Sequence, residues 1–381
     1  MSENPASVPV PLLDLKAQYA TIRHEIRPVL DEVCDAQGFI LGPRVEAFEK
    51  AVAAYVGTKH AIGMSSGTDS QLAAMMAAGV GPGDDVVTSP YSFFSTAGAV
   101  ARLGAKAVFC DIEPETFNLD PSRLAAAITP RTKLIQPVHL YGQCADMPAI
   151  KKIADKHKLL VIEDNAQAID AAGDTFKIGE LSDAVATSFI IQKNLGCFGD
   201  GGAIVTNNEQ VNKVTRLLRS HGSPARNVHS FGFNSRLDDL QAGVLSAKLK
   251  HIHEWNDNRI KWAARYTAGL KSPKSFTLPY AKPGYRHVWH LYVIEVKDAA
   301  KRDAFVDFLV KNGVDAKTHY SIAIHKQAGY PWGKGARVVG SLENAERNAA
   351  TCISLPMFPE LTAEEVDYVV AQCLAWDKAN S

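Results

Sequence analysis

The sequence predicts an α/β fold: a large domain on a mainly parallel, seven-stranded sheet flanked by helices, then a smaller C-terminal α/β domain. Three observations carry this. Between residues 60 and 219, short apolar runs alternate with helical stretches, the pattern of βαβ units. Most of these runs are apolar without polar alternation, as strands covered on both faces of a parallel sheet are. At 381 residues the chain is too long for one small core, and the Pro- and Gly-containing segment 272–284 offers a break.

The elements follow in order. Residues 1–10 read as a mobile leader, 12–15 as a short strand, and 16–35 as an amphipathic helix carrying Tyr19, Ile22, Ile26, Val29, Leu30 and Val33 on its apolar face. A turn at 38–43 leads to a helix at 45–55. Strands are predicted at 60–64, 85–88, 105–110, 133–139, 159–163, 184–189 and 202–206. Helices between and after them fall at 69–78, 95–103, 147–156 and 209–219. Two helical runs, 237–255 and 259–272, precede the break, and strands at 287–296 and 314–320 with helices at 298–312, 341–351 and 362–376 form the second domain.

Composition narrows the function. Lys+Arg and Asp+Glu both number 41, so the formal net charge is zero, with no basic surplus to attract nucleic acid or an anionic membrane. No basic, then apolar, leader and no 18-residue uncharged apolar run is present, so neither a signal peptide nor a membrane span is expected. The six cysteines are scattered without a CxxC pair and the twelve histidines form no HxxxH pattern, so reduced thiols in a cytoplasmic protein, and no metal site, are expected.

One stretch stands out, from Ser188 to Gly202. An apolar strand runs into Lys193, which has no acidic residue within six positions, and then into Gly196, Gly199, Gly201 and Gly202. Such a loop lets backbone approach a ligand. A lysine amine in a desolvated pocket loses its proton readily and becomes a nucleophile toward carbonyls, although a solvated surface lysine is the plainer reading. Other segments offer partners. Gly67 and Thr68 open a helix after a strand, suited to a phosphate or simply to an N-cap. Glu163 and Asp164 end a strand, where open α/β sheets bind ligands, and Gln167 follows three residues on. Of Phe93 and Phe94, one suits stacking on a flat ring and the other, Phe94, suits the core. An amine, an acid, an aromatic and a phosphate cup are together what pyridoxal 5'-phosphate requires.

At this point the chain resembles the pyridoxal-phosphate-dependent nucleotide-sugar aminotransferases of the DegT/DnrJ/StrS family, of fold type I. The marks run along most of the chain: Phe39-Ile-Leu-Gly-Pro43, Ser66-Gly-Thr-Asp69, Pro137-Val-His-Leu-Tyr-Gly-Gln143, Ile162-Glu-Asp-Asn-Ala-Gln-Ala168, Lys193-Asn-Leu-Gly196, Gly199-Asp-Gly-Gly-Ala203 and Asn234-Ser-Arg-Leu-Asp238. The resemblance implies that Lys193 holds the cofactor as a Schiff base. It implies that Asp164 pairs with the pyridine nitrogen, that Gln167 contacts the phenolic oxygen and that Phe93 covers the ring. Gly67, Thr68 and Ser188 would bind the phosphate. Asn234 would reach the cofactor of a second subunit, which makes the protein a homodimer with shared active sites. Arg236, Tyr320 and His325 would face the substrate. The chain departs from the family at Ile191 and Gln192 before the lysine, and at Ser321 and Ala323, where the family carries prolines.

The implied reaction is ping-pong transamination from an L-amino acid, L-glutamate above all, to the ketone of a nucleotide-linked sugar. Two alternatives remain at this point: a sugar dehydratase of the same family, which carries histidine where Lys193 stands, and a non-catalytic regulator that keeps the fold. The domain division expected is an arm at 1–22, a large cofactor domain at 23–255 and a small domain at 256–381.

Overall fold

The computed structural model describes residues 9–225, 227–329 and 336–380. The leader expected at 1–10 lies almost wholly outside them. Eleven strands are present among the described residues: β1 (His60–Met64), β2 (Asp85–Thr88), β3 (Lys106–Phe109), β4 (Thr132–Gln136), β5 (Leu160–Asp164), β6 (Ala184–Ser188), β7 (Gly202–Thr206), β8 (Phe276–Thr277), β9 (Tyr292–Val296), β10 (Ala336–Val338) and β11 (Cys352–Leu355). Two sheets result, of eight strands in the order β1-β7-β6-β5-β4-β2-β3-β10 and of three in the order β11-β9-β8. In the large sheet only the β1–β7 and β7–β6 pairs are antiparallel. The smaller sheet is antiparallel throughout.

The first seven strands stand where the apolar runs predict them. The eighth corrects the expected count. Ala336–Val338 lies in the C-terminal third, yet pairs in parallel with β3 and extends the large sheet. Three residues with a central arginine carry too little apolar signal to read as a strand. The run 314–320 forms no ladder either. Val314 and Lys317 make single bridges to Val10 and Ser354, and between them the chain only skirts the small sheet. The short strand expected at 12–15 is likewise not formed, because Asp14 caps a helix there, accepting from the N–H groups of Lys16 and Ala17.

The helices are α1 (Leu15–Ala36), α2 (Pro43–Val56), α3 (Gly67–Ala77), α4 (Ser95–Arg102), α5 (Pro121–Ala127), α6 (Met147–His157), α7 (Glu209–Leu218), α8 (Asp239–Leu249), α9 (Ile252–Gly269), α10 (Arg302–Lys311), α11 (Glu343–Thr351) and α12 (Ala363–Asn380). They cover the large sheet on both faces. Ile26, Phe48, Leu245 and Ile252 pack with Val87, Ile135 and Val185 on one face, while Met75, Val100 and Leu218 pack with Val86, Leu134 and Ile204 on the other. Alternate residues of one strand thus feed opposite cores. A third core joins Tyr266, Phe305, Val366 and Trp376 to the small sheet. Helix α9 links the two regions. Ile252 and Trp255 belong to the large core, whereas Trp262 and Tyr266 belong to the small one. The boundary expected at 255/256 therefore falls inside one continuous helix.

Strand β5 shows how alternation sorts two neighbouring acids. Glu163, itself buried, turns away from Asp164 into a network of its own. It accepts from His139 Nε2 at 2.6 Å, from the Gly179 N–H at 3.0 Å and from the Ser182 hydroxyl. The Ala145 N–H donates to His139 Nδ1, so the proton on that ring sits at Nε2 and points at Glu163. Glu163 is a structural carboxylate. Its replacement by Ala strands two buried donors and the part-buried Ser182 hydroxyl, and an equilibrium denaturation should show a loss of about 3 kcal/mol. A loss under about 1 kcal/mol would contradict this assignment.

Candidate active site

The carboxyl ends of β5 and β6 and the start of α3 meet at one crevice. Asp164 ends β5 and is 3% exposed. Its Oδ2 accepts from Gln71 Nε2 at 2.8 Å and from the Thr96 hydroxyl at 3.0 Å, and its Oδ1 accepts from the Ala166 N–H at 3.1 Å. Burial pushes its pKa above the ordinary value. The Ala166 N–H, Thr96 and the charge of Lys193 pull the other way. Three donors aimed at the two oxygens favour the carboxylate form.

Lys193 follows β6 on a loop folded back against the strand end. The Lys193 N–H bonds to Ile190 O at 2.8 Å, Cys197 N–H to Phe189 O at 2.8 Å, and Ile191 N–H to Gly199 O at 3.0 Å. A Cβ at Gly196 would lie 2.3 Å from Ile191 O, so only glycine permits the closure. From behind, Lys248 Nζ donates to Gly196 O at 2.7 Å, and Gln241 brackets Phe198 by bonding both its N–H and its carbonyl. The Lys193 ammonium is poorly hydrated among the protein atoms of the crevice. That draws its pKa from 10.5 to about 8, with the negative charge of Asp164 opposing the fall.

Helix α3 supplies the third part. Ser66 caps it by accepting from the Asp69 N–H at 3.1 Å. The N–H groups of Gly67 and Thr68 have no partner within the helix and add to the positive end of its dipole. Gly67 lies flat against β6, since a Cβ there would come within 2.5 Å of Ser188 Cβ. The helix start and the Ser188 hydroxyl thereby border the same space.

That space is a cavity of about 310 Å³. Gly67, Thr68, Phe93, Asp164, Gln167, Ser188, Lys193 and Tyr320 all line it. Gln167 is held in place, accepting from the Tyr141 N–H at 2.7 Å and donating to the Tyr320 hydroxyl at 2.9 Å. Phe93 stands at the mouth, 57% exposed, its ring tilted against Tyr320 with centroids 6.2 Å apart. Phe94 is 37% exposed, so it is not the core residue the sequence suggested. Three predicted residues lie elsewhere in this chain. Asn234 bridges Ser220, Arg236 donates to the Ser220 hydroxyl at 3.4 Å, and His325 pairs with Glu346 at 2.9 Å. The crevice also holds residues the sequence did not single out: Gln71, His290 and His319 line it, and Thr96 supports Asp164. A larger open hollow of about 740 Å³ lies beside α2 and α7. Glu49 sits there between two guanidinium groups, pairing with Arg216 at 2.9 Å and with Arg219.

The model of the DegT/DnrJ/EryC1/StrS aminotransferase family matches residues 20–374. The chain belongs to that family. Among its relatives is the pleiotropic regulatory protein of Geobacillus stearothermophilus, 47% identical over 95% of this chain and 96% of the relative. A dTDP-3-amino-3,4,6-trideoxy-alpha-D-glucose transaminase of Streptomyces venezuelae is 39% identical over 99% of this chain and 98% of the relative. The solved structure of S. venezuelae DesV in complex with a ketimine intermediate superposes with a TM-score of 0.93 at 39% identity, covering 97% of this chain and 99% of that one.

The family cofactor, pyridoxal phosphate, fits this geometry. A helix start closed to any side chain suits the phosphate, a buried carboxylate suits the ring nitrogen, and a poorly hydrated amine suits the aldehyde. The donor set matches the cofactor at each end. Gly67→Ala, which forces α3 and Ser188 apart, should weaken pyridoxal phosphate binding about tenfold or more in a fluorescence titration. The circular dichroism spectrum should stay unchanged; unaltered affinity would separate this helix start from phosphate binding.

Proposed function

We propose that the protein is a pyridoxal-phosphate-dependent aminotransferase. It moves the amino group of an L-amino acid, L-glutamate in our reading, onto the ketone of a nucleotide-linked keto sugar. The observation that carries the proposal is the crevice itself, where the Lys193 amine, the Asp164 carboxylate and the open start of α3 face one cavity. The transaminase and ketimine-bound relatives support it. Lys193 also argues against the dehydratase alternative, and a regulator has no use for a poorly hydrated amine beside a buried carboxylate.

When bound, pyridoxal phosphate supplies a carbonyl to carry the amino group and an electron-withdrawing ring. The rest is the work of this chain. Gly67, Thr68 and Ser188 hold the phosphate, and Asp164 keeps a proton on the ring nitrogen. Gln167 Nε2 donates to the phenolic oxygen while Phe93 covers one ring face. Lys193 Nζ, as the neutral amine, removes the proton from the α-carbon of the donor; as ammonium it returns one. A pKa near 8 suits both roles near neutral pH. Tyr320, bonded to Gln167 at the mouth, faces the sugar, and His325 and Arg236 belong further out along its path.

Asn234 and Arg236 follow Phe231, a phenylalanine 72% exposed in this chain. Their segment is read as the face of a homodimer that delivers Asn234 to the other subunit's cofactor. A cytoplasmic setting fits the reduced state of all six cysteines, five of them buried. Among the described residues, no helix is long and apolar enough to cross a membrane.

Loaded protein mixed with L-glutamate and a panel of dTDP- and UDP-linked keto sugars should yield an amino sugar and 2-oxoglutarate in equal amounts. Lys193→Ala should yield neither. A cofactor spectrum unmoved by every amino donor would overturn the proposal. The pH dependence has a definite sign. Lys193 attacks a carbonyl only as the free amine, so cofactor uptake should rise with pH and level off above pH 8. At pH 7 it should run about tenfold below the plateau.

A further inference from the structure

The proposed function gives His290, at the crevice wall, no part. His290 follows Trp289, whose backbone is left-handed at φ +45°, a strained conformation for a bulky residue. Arg259 of α9 holds that turn by donating to Trp289 O at 3.2 Å and to Met357 O at 2.8 Å. The turn breaks the strand expected over 287–296, so that β9 starts only at Tyr292, and it brings His290 Nε2 to 3.4 Å from Lys193 Nζ.

The other ring nitrogen is fixed by a relay of amides. Asn256, one turn before Arg259 on α9, donates to the Ile169 carbonyl at 3.1 Å, which orients its amide and leaves Oδ1 to accept. Asn194 Nδ2 donates to that Oδ1 at 2.7 Å and to the Val288 carbonyl at 3.1 Å. Two carbonyls can only accept, so neither amide can be flipped without opposing oxygens. Asn194 Oδ1 therefore faces His290 Nδ1 at 3.0 Å and requires a hydrogen there. The remaining nitrogen, Nε2, carries a lone pair and points at the amine.

We propose that the relay from Asn256 through Asn194 locks His290 in its Nδ1–H form, so that Nε2 accepts a hydrogen from Lys193 and turns the amine's lone pair toward the reacting carbon. His290 is a positioning residue. It acts on the lysine that follows its role in holding the cofactor and must then stand as a base. Its surroundings favour the neutral ring: loss of hydration lowers its pKa well below the ordinary value, and Lys193, Arg259 and His319 add to the fall.

Two variants separate its two nitrogens. In His290→Asn the amide nitrogen overlays Nδ1, keeping the bond to Asn194 but leaving Lys193 without an acceptor. In His290→Gln the amide overlays Nε2 and restores one. In single-turnover reactions of the loaded protein with L-glutamate, His290→Asn should slow proton removal at least tenfold, about the scale of a misplaced catalytic group. His290→Gln should stay within about threefold of the parent. Equal slowing of both would overturn the proposal. The second readout needs no reaction: two-bond 1H–15N spectra of histidine-labelled, cofactor-free protein should show His290 as the Nδ1–H tautomer from pH 6 to 8. An Nε2–H ring or an imidazolium would overturn it. If no amino donor reacts even with the parent protein, the aminotransferase reading falls, and the tautomer still decides this one.

Discussion

The site is built around one ammonium group kept short of water. Lys193 Nζ sits at the floor of a crevice where hydration is lost and a buried carboxylate restores part of its stability. Neither side may win outright. Too much desolvation leaves the amine unable to hold a proton, and too strong a counter-charge leaves it unable to release one. Asp164 serves because three donors already engage its two oxygens, so its charge is spread over several partners. The loop that carries Lys193 is held just as firmly, by Lys248 on one carbonyl and by Gln241 on Phe198.

The fold supplies this balance by alternation and by strand ends. On β5, consecutive acids face opposite ways: Glu163 ties His139 and the 179–182 turn into the core, while Asp164 enters the crevice. On β6, the strand ends at Ser188, and the glycines beyond it let the chain double back. Helix α9, shared between the large and small cores, then reaches the site, with Asn256 and Arg259 both bonded to segments that surround Lys193. The orientation of the amine is thus linked to the packing of the small core, through a helix that belongs to both.

Much of this was legible in the sequence. Apolar runs named seven strands of the large sheet, and residues at strand ends and helix starts named Lys193, Asp164, Gln167, Ser188, Gly67 and Thr68, all of which line one cavity. What escaped follows a common cause. Gln71 and Thr96 reach Asp164 across 93 and 68 residues, and His290 reaches Lys193 across 97, separations at which no local pattern signals contact. Strand β10 is too short and too polar to announce itself. His287 to Leu291 look like strand, yet Trp289 turns them inward because carbonyl and amide partners near the crevice outweigh a ladder. Asn234, Arg236 and His325 were named by resemblance alone, and within one chain they stand outside the cavity.

We propose that Lys193, among the chain's lysines, is the amine matched to a carbonyl cofactor. Borohydride reduction of the protein with pyridoxal phosphate at pH 8, followed by peptide mass spectrometry, tests it directly. A single phosphopyridoxyl group is expected on Lys193, and none on Lys248, whose pKa is also drawn to about 8 but whose amine is turned to Gln18 and Gly196. Label spread over surface lysines, or placed on Lys248 with Lys193 untouched, would contradict it.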